Sequence, residues 1–158
     1  MIPDFRFGDV LPPFMGADAA GAGLPRSPYR ATVEELADRF CTSAERADIL
    51  DGFLSFREEL RQAGFARGFQ WIDGSFVENC ECVKGRPPGD IDVVSALHRP
   101  GAYHQEHHWR IFVAERSSTL FNSGWTKARF RCDAYFIDLD SDPSLIAEMS
   151  AYWVGLFS

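Results

Sequence analysis

The sequence predicts an α+β protein in two layers: a small mixed sheet of about three to five strands, packed by helices on one face, with two helices ahead of the first strand. Three observations carry this. Two capping-box patterns, Thr32-Val-Glu-Glu35 and Thr42-Ser-Ala-Glu45, stand in front of helically spaced apolar residues. Short apolar runs rich in β-formers, at 69–73 and 90–97, follow and are broken by Gly-rich turns. The chain shows no internal repeat and no composition shift that would mark a second domain.

Residues 1–31 are rich in Gly, Ala and Pro and read as an extended, partly disordered arm, with Phe5, Phe7, Leu11 and Phe14 pinning it to the body. Residues 32–158 form the single domain. The first box predicts a short helix to about Phe40. The second opens a longer one in which Ala47, Leu50, Phe53, Leu54, Arg57 and Leu60 recur at three- and four-residue steps, an apolar stripe interrupted once, until Gly64 stops it. Phe69 to Asp73 reads as a strand turning at Gly74-Ser75, residues 76–89 as a loop, and Asp90 to Leu97 as a buried strand. Gln105 to Phe121 suits a helix. Lys127 to Leu139 alternates and predicts a third strand, with Lys127, Arg129, Arg131, Asp133 and Tyr135 on one face. Residues 144–157 read as a closing helix.

Composition sets bounds. Fourteen phenylalanines in 158 residues predict a core built largely from aromatic packing. A net charge of −7 argues against a surface that wraps nucleic acid throughout, because phosphate neutralisation needs clustered Lys and Arg. No apolar run is long enough for a membrane span, and the four cysteines are too few and too irregular for a disulfide scaffold. A cytoplasmic location is expected.

The chemistry concentrates between Phe69 and Ser95. Asp90 and Asp92, two residues apart at the mouth of a strand, point to the same face and repel when both are ionised. A divalent cation between them is the simplest relief, and the Gly74-Ser75 turn is a place where a phosphate can rest.

In order, Ile72-Asp73-Gly74-Ser75, Asp90-Ile91-Asp92-Val93 and Cys132-Asp133-Ala134 resemble the pattern of the nucleotidyltransferase superfamily, the DNA polymerase β-like fold. The stretches WIDGSF, PPGDIDVV and DAYFID resemble small bacterial nucleotidyltransferase-like proteins of toxin–antitoxin and phage-defence systems. The resemblance spans most of residues 27–157. It implies a Mg²⁺-dependent (or Mn²⁺-dependent) enzyme that moves an NMP from an NTP, ATP first among them, to a protein or nucleic-acid hydroxyl. Asp90, Asp92 and Asp133 are then the catalytic and metal-binding carboxylates, and Gly74 and Ser75 bind nucleotide. The strand parity adds Lys127 and Arg129 to the nucleotide contacts, although a solvated basic edge is the commoner role for such a stripe. Implied partners are the nucleoside triphosphate, a cognate toxin, antitoxin or defence protein, and an RNA acceptor.

Two departures bear on this. The interval from Ser75 to Asp90 holds 14 residues, longer than in minimal antitoxin-type members, and no helical domain follows to hold base or acceptor. The alternative is a catalytically silent, antitoxin-like module that binds a nucleotide or a partner. Oligonucleotide synthesis or tailing of RNA ends is a third reading, disfavoured by the acidic charge.

Other signals have plainer readings. Cys80-x-Cys82 lacks a second pair for zinc, and the His98, His104, His107 and His108 group fits a surface helix. Glu78 reads as a solvated loop carboxylate, and Trp71 and Trp125 as packing before base stacking. Asp138 is a reserve third carboxylate, while with Asp140 it also suits a cap on the turn before the last helix.

Overall fold

A computed structural model describes residues 1–6, 8–15 and 26–157. Helices α1 (Val33–Phe40) and α2 (Ala44–Gln62) precede strand β1 (Gly68–Asp73). A 3₁₀ turn at Ser75–Val77 and helix α3 (Cys80–Lys84) lead to β2 (Ile91–Leu97). After a second 3₁₀ turn at Gly101–Tyr103, helices α4 (Glu106–Glu115) and α5 (Ser123–Phe130) cross over to β3 (Cys132–Asp138), and α6 (Pro143–Leu156) closes the chain.

The three strands lie in the order β1-β2-β3, with β1 antiparallel and β3 parallel to the central β2. This is the expected small mixed sheet. Side chains alternate across it, so Ile91, Val93, Cys132 and Ala134 face one way, into a core with α1, α2, Phe112 of α4 and Phe130 of α5. Val94, Ala96 and Ile137 face the other way and are met by Trp153, Ile146 and Met149 of α6. The helical layer is thus heaviest on one face, and α6 is the element that covers the opposite one.

Local chemistry explains the helix ends. Thr32 and Glu35 form the reciprocal box expected at α1. The second box is displaced by one residue: Ser43, not Thr42, is the cap of α2 and accepts from the N–H of Arg46. Gly64 follows α2 at φ +98°, and its N–H and that of Phe65 donate to Arg61 and Leu60 carbonyls, the paired bonds of a Schellman ending. Gly52, inside α2, lets that helix press on α5; a Cβ there would lie 2.1 Å from the Phe130 carbonyl oxygen.

The aromatic core expected from composition is present. Phe40, Phe53, Phe56, Phe76 and Phe112 are fully buried, and Phe56 touches both Phe130 and Phe136. Phe5 and Leu11 of the N-terminal arm pack on this core, and the Asn79 side chain and N–H donate to Asp9. Phe14 pairs with Arg26 in an isolated bridge. Phe7 and residues 16–25, part of the arm expected to be partly disordered, lie outside the described residues.

Three expectations are corrected. Residues 127–130 are not the start of a strand but the last turns of α5; Asn122 caps that helix by accepting from the Trp125 N–H, and Arg131 ends it at φ 55°. Lys127, Arg129 and Arg131 therefore share no strand face with Asp133. The loop at 76–89 carries α3, where Cys80 is buried and Cys82 exposed on one short helix. The helix expected to reach Phe121 stops at Glu115, where Ser117 bonds back to the Ala114 carbonyl and turns take over.

Candidate functional site

The strand register gathers the carboxylates. Asp73 is opposite Asp92 across β1 and β2, and Asp92 is opposite Asp133 across β2 and β3. All three stand in one row on the sheet face that α6 covers farther along. At the next inward row, Trp71, Val94 and Tyr135 pair on the same face. Asp90 lies just before β2. Asp73 joins the row though the motif reading passed over it; its signal was its place as last residue of the strand before Gly74.

Gly74 lies directly against this row. Its φ is +79°, and a Cβ on it would be 1.8 Å from Asp92 Oδ2 and 2.8 Å from Asp92 Cγ. Only a residue without a side chain allows the backbone and that carboxylate so close. Ser75 then opens the 3₁₀ turn, and its hydroxyl makes no hydrogen bond among the described residues. Arg46 holds the loop beyond. It is 3% exposed, donates to the Phe76 and Glu78 carbonyls at 2.7 and 2.8 Å, and pairs with Glu81 through two nitrogens at 2.7 and 2.8 Å. It fell outside the apolar stripe by which α2 was read, and its Glu81 partner, 35 residues on, gave no local signal.

Electrostatics follow from the crowding. Burial, then the Asp90 and Asp133 carboxylates, push the Asp92 carboxyl up to about 6, against the pull of Lys127. Burial raises Asp73 as well, opposed by a bond from the Gly74 backbone and assisted by Glu78. Burial, then Asp90, push the Cys132 thiol behind the row to about 12, which leaves it a neutral packing group.

Lys127 reaches the row from α5 rather than along a strand. Its ammonium pairs with Asp90 Oδ2 and lies 3.5 Å from Asp133 Oδ2. Its own pKa is raised, first by the Asp90 bond. The sequence-predicted Asp90, Asp92, Asp133, Gly74, Ser75 and Lys127 are thus brought together. Arg129 is not: its guanidinium lies over the Trp125 and Phe130 rings, 5.6 and 5.3 Å from their centroids.

The reserve carboxylate is engaged elsewhere. Asp138 accepts from Arg99 at 2.7 and 2.8 Å, and Asp140 accepts from the Arg99 N–H and pairs with His98. Glu78 pairs with Lys84.

A hard divalent cation fits the donor set by its chemistry. Lys127 already pairs with Asp90 and Asp133, and burial, then the Asp90 and Asp133 charges, keep Asp92 from ionising readily. Among the described residues no three His, Cys, Asp or Glu side chains form a ready metal cage. Mg²⁺ does not require one, since it takes one or two carboxylates and completes its shell with phosphate and water.

A family model matches residues 3–158, and the chain belongs to that family, described as a family of unknown function (DUF6932). No curated protein and no solved structure is significantly similar to the chain. Among the described residues, no helix is long and apolar enough to cross a membrane.

Proposed function

We propose that this protein is a Mg²⁺-dependent nucleotidyltransferase, moving an NMP from an NTP, ATP first among them, to a protein or nucleic-acid hydroxyl. The observation that carries the proposal is the row of Asp73, Asp92 and Asp133 with Gly74-Ser75 lying against its centre. An acidic row alone would repel a triphosphate; an acidic row beside an open backbone turn suits a triphosphate that arrives with its cation.

In this reading the Gly74-Ser75 turn holds the β- and γ-phosphates through the Ser75 hydroxyl and backbone N–H groups. Arg46 keeps the following loop in place by its carbonyl bonds. Asp90, Asp92 and Asp133 would hold Mg²⁺ or Mn²⁺, which supplies charge neutralisation on the triphosphate and lowers the pKa of the acceptor hydroxyl. The acceptor oxygen forms a bond to the α-phosphorus as the bond to the β-phosphate oxygen breaks. Pyrophosphate leaves, and the hydroxyl proton passes to the carboxylate row or to water. Lys127 must give up Asp90 or Asp133 when the metal enters, and its ammonium is then free to turn to phosphate oxygens. A cytoplasmic setting, in a toxin–antitoxin or phage-defence pair, matches the resemblance of the motifs.

The test is incubation with α-labelled NTPs, Mg²⁺ and candidate protein and RNA acceptors. Label transfer that disappears in Asp92→Asn and Asp133→Asn supports the assignment. Absence of transfer to every acceptor, together with absence of Mg²⁺-dependent NTP binding, sinks it.

One observation favours a second reading, the silent antitoxin-like module. The Lys127 ammonium already pairs with Asp90 and lies 3.5 Å from Asp133. If that pairing is permanent, the protein holds a nucleotide or a partner without turnover. NTP binding that Mg²⁺ does not strengthen, with no label transfer, would select this reading.

A further inference from the structure

The carboxylate row occupies one end of the sheet and leaves the other unused. At that far end β2 and β3 finish at Leu97 and Asp138, and β3 is an outer strand. A cavity of about 690 Å³ opens there between α4 and α6. That volume lies within the few hundred to about 1,000 Å³ of typical binding sites. Its floor is apolar: Trp109 and Val113 from α4, Phe136 and Ile137 from β3, Ile146 and Met149 from α6. Leu145 stands at its edge, 46% exposed.

The rim is acidic. Glu106, Asp138, Asp140 and Asp142 line it against two cations, Arg99 and Arg110. Both cations are occupied within the rim: Arg99 on Asp138 and Glu106, Arg110 on Glu106. Asp142 caps α6 and Asp140 is held by His98 and the Arg99 N–H, and these bonds keep both carboxyls below the usual range. The groove therefore carries a net negative charge around an apolar floor.

We propose that this groove docks a basic peptide segment of a partner protein, with one or two apolar anchor side chains flanked by Lys or Arg. The anchors occupy the floor between Trp109 and Met149, and the cations face Asp140 and Asp142. Complementary charge sets the choice of partner, and burial of the anchor supplies the affinity. The site is separate from the carboxylate row and does not depend on the transferase assignment.

The test uses a fluorescently labelled peptide, KRLFLRK, and an acidic counterpart, EDLFLDE, with amide shifts followed on the unsubstituted protein. The basic peptide should bind in the micromolar range and weaken several-fold as salt rises from about 0.05 to 0.5 M. Shifts should concentrate at residues 106–114 and 136–149. Leu145→Glu, an exposed substitution that leaves the core intact, should weaken binding about tenfold or more, while the Asp90→Asn/Asp92→Asn double variant should bind as before. Equal binding of the acidic peptide, or loss only in the double variant with shifts on the carboxylate row, would overturn the proposal. So would a dimer of the protein itself that Leu145→Glu dissociates, because the groove would then hold a second copy.

Discussion

Gly74 and Asp92 define the site at the scale of single residues, and each has a measurable cost. Gly74→Ala meets the Asp92 carboxylate and forces an L side chain into positive φ, so a loss of about 2 kcal/mol or more is expected. Denaturant unfolding checks it. Asp92 runs the opposite way from an ordinary carboxylate. Its folded value of about 6 is above the usual 3.8, so the folded chain holds the proton more tightly and stability falls as pH rises from 3.8 to 6. Asp92→Asn should therefore be more stable than the parent at pH 7, by on the order of 1–2 kcal/mol after allowing for partial exposure. Below pH 3.8 that advantage should vanish. Unfolding midpoints at pH 3.5 and 7 decide it; a variant that loses stability at pH 7 would mean that the charge is stabilised rather than strained.

At the scale of elements, what the sequence made legible depended on how local the cause was. The α1 capping box, the Gly64 stop and the strand after Asp90 rest on neighbours within a few residues; the first two are found where the pattern placed them, and the strand begins at Ile91, one residue later than expected, which leaves Asp90 outside it. The stretch from Lys127 to Phe130 was misread because alternation and helical spacing coincide over so few residues. Thr126 and Phe130, four apart and both buried, and the Asn122 cap carried the helical signal. Asp133 was legible by motif. Asp73 joined the row only through its cross-strand register, and Arg46 holds the loop after Ser75 through contacts 30 or more residues away.

That Arg46 network supports an element-scale prediction about the loop after Ser75. The Arg46 bonds hold the Glu81 carboxyl below its ordinary 4.5, so its contribution is present above pH 4.5 and is lost as pH falls through the lower folded value. Glu81→Gln should cost about 1–2 kcal/mol at pH 7, less than a fully buried pair because Glu81 is 38% exposed. The difference from the parent should shrink on acidification below pH 4.5. A cost independent of pH would assign the loss to packing rather than to the ion pair.

For the molecule as a whole, the proposed function requires that three strand ends and one glycine turn make a site for a divalent cation carrying a triphosphate. That row and the α4–α6 groove lie at opposite ends of β3. Calorimetric titration of a non-hydrolysable ATP analogue, with and without Mg²⁺, into the parent and Asp92→Asn tests the claim most directly. Binding in the parent should require Mg²⁺ and be at least about tenfold weaker in Asp92→Asn. Binding that is absent from the parent, or that is indifferent both to Mg²⁺ and to the loss of the Asp92 charge, would contradict it.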